Sequence, residues 1–398
     1  MKLAILSDLH LGYERFFDDA YKQASEALEA AASLSDAIII PGDIFDNRAP
    51  KPEVLAQGIN LFRNLSGREW KARTASLEGA KKAYTSVPIL AIPGTHERRS
   101  QETENAVQLL SLAGLLVDIS EGRAILEKGG DRVAVYGLGG VSDERTREVL
   151  EKLNPTPAKE MFNIFVFHQS IYEILPFSKD FITFSELPKG FDLYVDGHIH
   201  NRIEKTVNGK PFLIPGSTVL TQLKEAEQDP KGFFIFDTST GKYSFNKINT
   251  RPFTFIRIGI TGMSIDKIKT RLYAEVEKAV SGSSEKPIVR IVLEGKTEKG
   301  GIESLDLQEV AKHFETHAII DISKDNLDED RINEIGEDVR NGMFENISIR
   351  DYGMSIFLER LKKGKYALKI SPSVLFDILS SETTKDKAVK KALDLLFS

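Results

Sequence analysis

Five short apolar segments, each followed at once by a loop that carries aspartate or histidine, restrict the fold of this chain more than any other feature. Their length and continuous apolar character predict buried β-strands at residues 3–6, 37–40, 89–92, 164–167 and 193–195. The chain has only seven histidines, and five of them lie in the loops after these strands: His10, His96, His168, His198 and His200. Helical patterns fill several of the gaps, so the chain is expected to be an α/β protein.

Further strands are indicated between and after these five. Turn residues Gly129-Gly130, Asn208-Gly209 and Thr240-Gly241 lie beside runs of strand-forming residues, as in β-hairpins. The predicted hairpin strands are 132–136, 204–207, 211–214, 233–236 and 243–248. We therefore expect two stacked mixed β-sheets flanked by helices over residues 1–252.

The pattern restarts near Arg251-Pro252 with a smaller unit. Strands at 253–260, 288–293 and 318–322 alternate with a helix that Ser264 can cap and a helix at 307–314, which predicts a βαβαβ domain over residues 253–323. From residue 324 to residue 345 the chain is acidic and polar, which is typical of a linker or a loosely packed helix, and we assign residues 324–370 to a linker. Residues 371–398 predict two short amphipathic helices, which either fold back on the second domain or dock in a partner's groove.

Composition limits the class of protein and the ligands that a metal could find. The chain has 398 residues and no cysteine, so a transition metal would be held by nitrogen and oxygen atoms. No apolar stretch is long enough to cross a bilayer, and we expect a cytoplasmic location without membrane contact. The formal net charge of -6 means that binding to a nucleic acid would need a local basic rim.

The loops after the strands are expected to converge, because ligands collect beyond the carboxyl ends of strands in α/β sheets. We interpret Asp-x-His and His-x-His as extended segments, each of which places two donors on one side. Carboxylate and imidazole together favour Mn, Fe or Zn over Ca or Mg, and two such cations would clamp the attacking and leaving oxygens of a displacement at phosphorus. The expected ligands are Asp8, His10, Asp43, His168, His198 and His200. Gly12, Gly42, Gly94 and Gly197 would let the backbone turn beneath them.

The loop sequences SDLHLG (7–12), GDIFD (42–46), GTHE (94–97), FHQS (167–170) and DGHIHNR (196–202) resemble those of the calcineurin-like metallophosphoesterases. Their order, together with the βαβαβ unit and the helical tail, resembles the SbcD-type (meiotic-recombination-eleven) subunit of double-strand-break repair more narrowly. The resemblance implies a metallophosphoesterase fold with residues 253–323 as a capping, DNA-facing domain. Residues 371–398 would then be a partner-binding tail.

The same resemblance implies a set of ligands and a cofactor. Asp8, His10, Asp43 and His200 would hold one Mn²⁺, while Asp43, His168 and His198 would hold a second. His96 would be the catalytic residue beside the scissile phosphate. The family normally has Asn before this histidine, as a ligand of the second metal, whereas this chain has Thr95, a shorter and poorer donor.

The implied function is a manganese-dependent DNA nuclease, a 3'-5' double-strand exonuclease and single-strand endonuclease of double-strand-break repair. The implied partners are a second copy of the chain and an SMC-like ABC ATPase bound through the C-terminal helices. Basic residues in the site loops are candidate contacts to DNA phosphates: Arg48, Arg98, Arg99 and Arg202. Two alternatives remain open, namely a phosphatase or cyclic-nucleotide phosphodiesterase with the same centre, and a scaffold with a degenerate site.

Overall fold

The computed structural model describes residues 1–79, 85–98, 104–176, 178–283, 285–295 and 305–323. Residues 371–398, for which we predict a helical tail, and the linker before them lie outside the described residues. Among the described helices, none combines the length and the apolar character needed to cross a membrane.

The chain alternates strands and helices over its described length. The strands are β1 (Lys2–Ile5), β2 (Ala37–Pro41), β3 (Arg73–Glu78), β4 (Ile89–Ile92), β5 (Val117–Asp118), β6 (Gly122–Lys128), β7 (Asp131–Leu138), β8 (Phe162–Phe167), β9 (Leu193–Asp196), β10 (Ile203–Val207), β11 (Lys210–Ile214), β12 (Gly232–Asp237), β13 (Lys242–Lys247), β14 (Phe253–Gly259), β15 (Ile288–Glu294) and β16 (Ile319–Ser323). The helices are α1 (Phe17–Leu34), α2 (Pro52–Ser66), α3 (Ala106–Leu112), α4 (Asp143–Leu153), α5 (Ile265–Val280) and α6 (Leu307–His313).

Two mixed sheets form the body of the molecule. One has six strands in the order β13-β12-β1-β2-β4-β5, and the other has seven in the order β10-β11-β9-β8-β7-β6-β3. Strands β1, β2, β4 and β5 are parallel in the first sheet, and β7, β8, β9 and β11 are parallel in the second. The prediction of two stacked mixed sheets is confirmed.

The apolar core lies between the two sheets. Side chains from the first sheet, such as Ile5 and Ile39, pack with Ile164 and Val195 of the second, and all four are fully buried. Each side chain of this kind contributes about 1.5–3 kcal/mol by its removal from water. Helices α1, α2 and α3 cover the outer face of the first sheet, and α4 packs on the second. Burial on both faces explains why the central strands are continuous apolar runs.

A three-stranded sheet, in the order β14-β15-β16, follows the two large sheets and alternates with α5 and α6. The predicted βαβαβ order is therefore present. Residues 263–292 of this region group with Met1–Ile258 in one compact unit. A second unit includes Gly259–Gly262 and residues 293–295, where the Ile260 amide donates to the Glu294 carbonyl (2.8 Å). The division of the chain into domains at 252/253 stays a prediction.

The region that contains β14 to β16 is joined to the first sheet's helices by ion pairs and apolar contacts. Arg251 donates to both carboxylate oxygens of Asp19 in α1 (2.5 and 2.7 Å). Ile288 packs with Phe16, which directly precedes the same helix, and with Ala20 in its first turn. These contacts place the three-stranded region against α1.

Two local features are not visible in the sequence. Strand β3 pairs antiparallel with β6 at the edge of the second sheet. Its sequence, RTASLE, has too few apolar residues for a pattern to reveal a strand. Ser264 is the N-cap residue of α5, but its side chain makes no capping hydrogen bond.

Candidate metal centre

The five loops that carry aspartate and histidine meet at the carboxyl ends of β1, β2, β4, β8 and β9. The first two loops run side by side, since the amides of Asp8 and His10 donate to the carbonyls of Gly42 and Asp43 (both 3.1 Å). The loop after β9 adjoins the loop after β8 because the Gly197 amide donates to the Phe167 carbonyl (3.1 Å). The predicted convergence of the loops is present.

Asp8, His10 and His200 form the first cluster of donors. The Nε2 atoms of His10 and His200 lie 3.1 Å apart. One oxygen of Asp8, Oδ1, lies 3.9 Å from the Nε2 of His10 and 3.8 Å from that of His200. Asp8 and His10 are buried, and His200 is mostly so. Three donor atoms therefore surround one small volume.

Asp43, His168 and His198 form the second cluster. The Oδ2 atom of Asp43 lies 3.2 Å from the Nε2 of His168. The hydroxyl of Thr95 lies 3.2 Å from the Nδ1 of His198, so Thr95 borders this cluster. The Nδ1 of His168 donates to the carbonyl of Pro41 (2.7 Å), which leaves its Nε2 directed at Asp43. Six expected ligands thus fall into two neighbouring groups.

Asp46 and His96 stand beside the first cluster. The Nδ1 of His10 donates to the Oδ1 of Asp46 (3.1 Å), which leaves the His10 Nε2 directed at His200 and Asp8. The Nδ1 of His96 donates to the backbone carbonyl of Asp46 (2.7 Å) and lies 3.7 Å from its carboxylate. The His96 side chain is 43% exposed, so a substrate can reach it.

Burial and neighbouring charges shift the titration of these groups. Burial raises the pKa of Asp8 to about 6. Burial, together with the charge of His168, lowers the pKa of His198 to about 4. Burial also opposes a charge on His168, but the Asp43 carboxylate outweighs it and raises the pKa of His168 to about 10. Burial likewise lowers the pKa of His200 well below its ordinary value, which keeps that ring neutral at pH 7.

The donor atoms fit a divalent cation because both oxygens of one fully buried carboxylate have no hydrogen-bond partner in the protein. Within the described residues, neither carboxylate oxygen of Asp8 accepts a hydrogen bond. Buried polar atoms without partners are costly, and a bound cation removes that cost. Carboxylate oxygens and imidazole nitrogens suit Mn, Fe or Zn.

The backbone of the ligands is not the extended segment expected from the sequence. Asp8, His10, Asp43 and His198 all have positive φ angles, of 53°, 46°, 50° and 69°. Strands β1 and β9 end at Ile5 and Asp196, before these donors. The interpretation of Asp-x-His as alternation along a strand is wrong, because Asp8, His10 and His198 have left-handed backbone conformations. Such strained conformations persist only when the surroundings hold them.

Glycines beneath the clusters allow close approach of the loops. A Cβ on Gly94 would lie 2.2 Å from the Oδ1 of Asp43, and one on Gly197 would lie 2.0 Å from the Pro41 carbonyl oxygen. Only Gly12 and Gly42 of the four expected glycines have positive φ angles. Gly94 and Gly197 are therefore required by lack of space and not by a sharp turn.

Glu97 connects two loops of the site, and its role was not predicted from the sequence. It is fully buried, and its two carboxylate oxygens accept from the amides of Phe45 and Gly94 (both 2.8 Å). Burial, with the nearby charge of Asp43, raises the pKa of Glu97 to about 8. Glu97 thereby joins the loop after β2 to the loop after β4. Its place in the GTHE segment, directly after His96, is the only sign of it in the sequence.

The basic residues predicted to contact DNA have different surroundings. Arg98 lines a cavity of about 150 Å³ together with Thr95, His168 and His198. Arg48 is exposed in the loop after β2, and Arg99 lies outside the described residues. Arg202 stacks on the ring of Phe245 (4.5 Å), and its Nε lies 3.6 Å from Glu204.

Comparison with known proteins gives consistent matches. The family model described as calcineurin-like phosphoesterase matches residues 1–202, which contain all six Asp and His donors. The protein called DNA double-strand break repair protein Mre11 of Sulfolobus acidocaldarius is 27% identical over 312 residues, covering 74% of this chain and 75% of the relative. The protein with the same name from Saccharolobus solfataricus is 25% identical over 326 residues, which cover 78% of this chain and 80% of the relative.

A eukaryotic relative is more similar over a shorter stretch. The double-strand break repair protein MRE11 of Encephalitozoon cuniculi is 31% identical over 262 residues, which is 59% of this chain and 45% of the relative. The family model that matches, the Mre11 relatives and the two clusters of Asp and His donors all indicate the same family. The chain belongs to the calcineurin-like phosphoesterase family, in its Mre11/SbcD-type branch, and is a metal-dependent phosphodiesterase.

Proposed function

We propose that this chain is a manganese-dependent DNA nuclease that acts in double-strand-break repair. The observation that carries the proposal is the meeting of two donor clusters, Asp8/His10/His200 and Asp43/His168/His198, within a match to Mre11 proteins that extends well beyond residue 202. The names of those relatives support DNA as the substrate. The expected activities are 3'-5' degradation of double strands and endonucleolytic cleavage of single strands.

Two Mn²⁺ ions are proposed, one in each cluster. Asp8, His10 and His200 would hold the first, and His168 and His198 the second, with Asp43 shared between the two. Thr95 would face the second ion with its hydroxyl, which lies 3.2 Å from the Nδ1 of His198. When bound, such ions supply an activated water and neutralise the negative charge that develops at phosphorus.

His96 is the proposed catalytic residue of the chain itself. Its Nδ1 is held by the Asp46 carbonyl at 2.7 Å, so its Nε2 is the atom left for a substrate. The carboxylate of Asp46, 3.7 Å from the same Nδ1, complements a positive charge on the ring. A charged ring can donate a proton to the leaving oxygen or stabilise negative charge in the transition state.

Arginines around the centre are proposed to hold the DNA backbone. Arg98 borders the cavity at the second cluster, and Arg48 is exposed beside the first two loops. Arg202 would have to exchange its contact with Glu204 for a phosphate. Arg99 completes the proposed set. Phosphate contacts of this kind position DNA without reading its sequence.

Cleavage of end-labelled single- and double-stranded DNA tests the proposal. With Mn²⁺ we expect degradation that chelator abolishes and that Asp8→Ala removes. His96→Gln should lower the rate about 10²–10⁴-fold, the usual value of a general acid or base, while manganese content is unchanged. His317→Gln, which changes an exposed histidine in the region of α6, should have wild-type activity. Activity on a small phosphodiester with none on DNA would instead indicate a phosphodiesterase of small substrates.

Two partners are part of the proposal. A second copy of the chain would pack against α1 and α2, and an SMC-like ABC ATPase would bind residues 371–398. Deletion of residues 371–398 should abolish co-purification with that ATPase, while manganese binding by the chain stays at the wild-type level. Co-purification that survives the deletion would rule out this segment as the docking site.

A further inference from the structure

A buried charged pair outside the five motif loops lies behind His200. Lys231 and Glu227 form an ion pair (3.1 Å), and their side chains are 5% and 2% exposed. A buried ion pair is often no more stabilising than apolar side chains of similar volume. The pair is therefore poorly explained by stability alone, and its contacts point to the metal centre.

Each polar atom of this pair has a defined partner. The three hydrogens of the Lys231 ammonium are directed to the His200 carbonyl (3.0 Å), the Ser217 hydroxyl (3.0 Å) and the Oε1 of Glu227 (3.1 Å). The Oε1 of Glu227 also accepts from the amide and from the hydroxyl of Thr221 (3.1 and 3.2 Å). Its Oε2 accepts from the amide of Gln222 (2.8 Å). Glu227 thus faces donors only.

This arrangement decides the direction of the hydrogen bond between Thr221 and His200. A carboxylate paired with an ammonium can only accept, so the single hydroxyl hydrogen of Thr221 points to Glu227. The Thr221 oxygen, 2.6 Å from the Nδ1 of His200, must then accept a hydrogen from that nitrogen. The Nε2 of His200 is left with its lone pair toward the Nε2 of His10 and toward Asp8.

The loop that carries Thr221 is also held from the other side. The hydroxyl of Tyr13 donates to the Thr221 carbonyl (2.6 Å), and the Tyr13 amide donates to the His10 carbonyl (3.0 Å). Val219, Leu220 and Leu223 of the same loop are buried among apolar side chains. The Thr221 oxygen therefore has a fixed place beside the imidazole.

We propose that Thr221 and Glu227, with Glu227 held in place by Lys231, are positioning residues that fix His200 as the tautomer with hydrogen on Nδ1, so that its Nε2 is ready for a metal. The inference rests on the proposed role of His200 as a metal ligand. Contacts of this kind orient ligating histidines and raise metal affinity about 10–100-fold.

The tautomer can be read in the metal-free protein by long-range ¹H–¹⁵N correlation of ¹⁵N-histidine-labelled chain, with His200→Gln to assign the signal. We expect wild-type His200 to carry its hydrogen on Nδ1. Thr221→Val should abolish this preference, and Thr221→Ser should restore it. Glu227→Gln should weaken it, because an amide can donate to the Thr221 hydroxyl and reverse the bond. Thr270→Val, in α5, is the matched control and should leave the signal unchanged.

Manganese affinity, measured by competition with a chelator, gives the second readout. Thr221→Val should lower the affinity for one of the two manganese ions about 10–100-fold. Thr221→Ser should keep most of the wild-type affinity. An unchanged His200 signal and unchanged affinity in Thr221→Val would overturn the inference. Absence of manganese binding by the wild-type chain would overturn the proposed function instead, and the tautomer measurement would still decide the hydrogen-bond direction. If Thr221→Val does not fold, the His200 signal of Glu227→Gln and Thr221→Ser tests the inference instead. An Nδ1 preference in Glu227→Gln as strong as that of the wild type would then overturn it.

Discussion

At the scale of single residues, three of the four histidines in the two clusters are oriented by an atom that is not itself a proposed metal ligand. His10 is held by the Asp46 carboxylate, His168 by the Pro41 carbonyl and His200 by the Thr221 hydroxyl. In each of these rings the Nδ1 is occupied and the Nε2 is directed into a cluster. His198 differs, because its Nδ1 faces the Thr95 hydroxyl at the cluster itself.

Thr95→Asn should strengthen metal binding at the second cluster. An asparagine amide oxygen is a longer and better donor than a hydroxyl, and it stands at this position in the family that the sequence resembles. We expect about a tenfold gain in the affinity of the weaker manganese ion, measured by titration calorimetry. Thr95→Val removes the hydroxyl and is the matched control, which should bind the ion no better than wild type. Weaker binding of that manganese ion by Thr95→Asn than by the wild type would contradict the prediction.

Manganese uptake should release a proton from His168. The Asp43 carboxylate overcomes the effect of burial and raises the pKa of His168 to about 10, so the metal-free ring is charged at pH 7.5. A metal ligand must be neutral, and the ring loses its proton when the ion binds. Calorimetry in buffers of different ionisation enthalpy should show at least one proton released per chain, because the Asp46 hydrogen bond outweighs burial and raises the pKa of His10, another proposed ligand, as well. His168→Gln should abolish that part of the release, and a buffer-independent enthalpy for the wild-type chain would refute the prediction.

At the scale of elements, the site depends on how tightly the loops approach one another. Glu97 joins the loops after β2 and β4 through two backbone amides, and Gly94 lets the Asp43 side chain lie directly against the backbone. The amide of His96 also donates to the Oδ1 of Asp43 (2.9 Å). The two loops are therefore tied to each other, and a change in either should displace Asp43, the proposed shared ligand.

Gly94→Ala should damage the metal centre more than the fold. Its Cβ would lie 2.2 Å from the Oδ1 and 2.4 Å from the backbone nitrogen of Asp43, so the loop must shift. We expect a loss of about 1–3 kcal/mol in the free energy of unfolding, together with weaker binding of both ions. Urea unfolding and manganese titration measure the two effects. Gly67→Ala, where the nearest atom is 3.5 Å away, should show neither, and equal behaviour of the two variants would contradict the argument.

At the scale of the whole molecule, the two large sheets bring the loops together and the three-stranded region packs on the side of α1. The Phe255 amide donates to the Gln228 side chain (2.9 Å), and Gln228 follows Glu227 in the chain. Phe253 and Ile319 pack against the apolar cluster that contains Leu220 and Leu223. The loop that supports His200 is therefore also a contact of the three-stranded region.

Asp19→Asn should weaken the attachment of that region. Arg251 makes a two-pronged contact with Asp19 and also donates to the Lys286 carbonyl (3.0 Å), and the Asp19 side chain is only 11% exposed. Loss of a hydrogen bond between charged groups should lower the free energy of unfolding by about 1–3 kcal/mol, measured in urea. Glu285→Gln, which changes the exposed pair with Lys22, should have little effect. A larger loss of stability in Glu285→Gln than in Asp19→Asn would contradict the prediction.

Much of the architecture follows from local patterns in the chain. Buried parallel strands must be apolar on both faces, so β1, β2, β4, β8 and β9 are visible as continuous apolar runs. Ligands collect where such strands end, so the six Asp and His donors could be named from their places after those strands. Strand β3, by contrast, lies at a sheet edge with few buried side chains, and no local pattern reveals it.

The sequence by itself determined the buried central strands, the two-sheet body and the identity of the donor residues, because these depend on burial and on spacing along the chain. Only the tertiary structure decided how the donors divide into two clusters, which left-handed turns aim them and which groups orient their rings. Those features depend on contacts between distant segments, such as Thr221 with His200 and Glu97 with Phe45. Backbone strain and hydrogen-bond direction are properties of the packed molecule and leave no periodic trace in the chain.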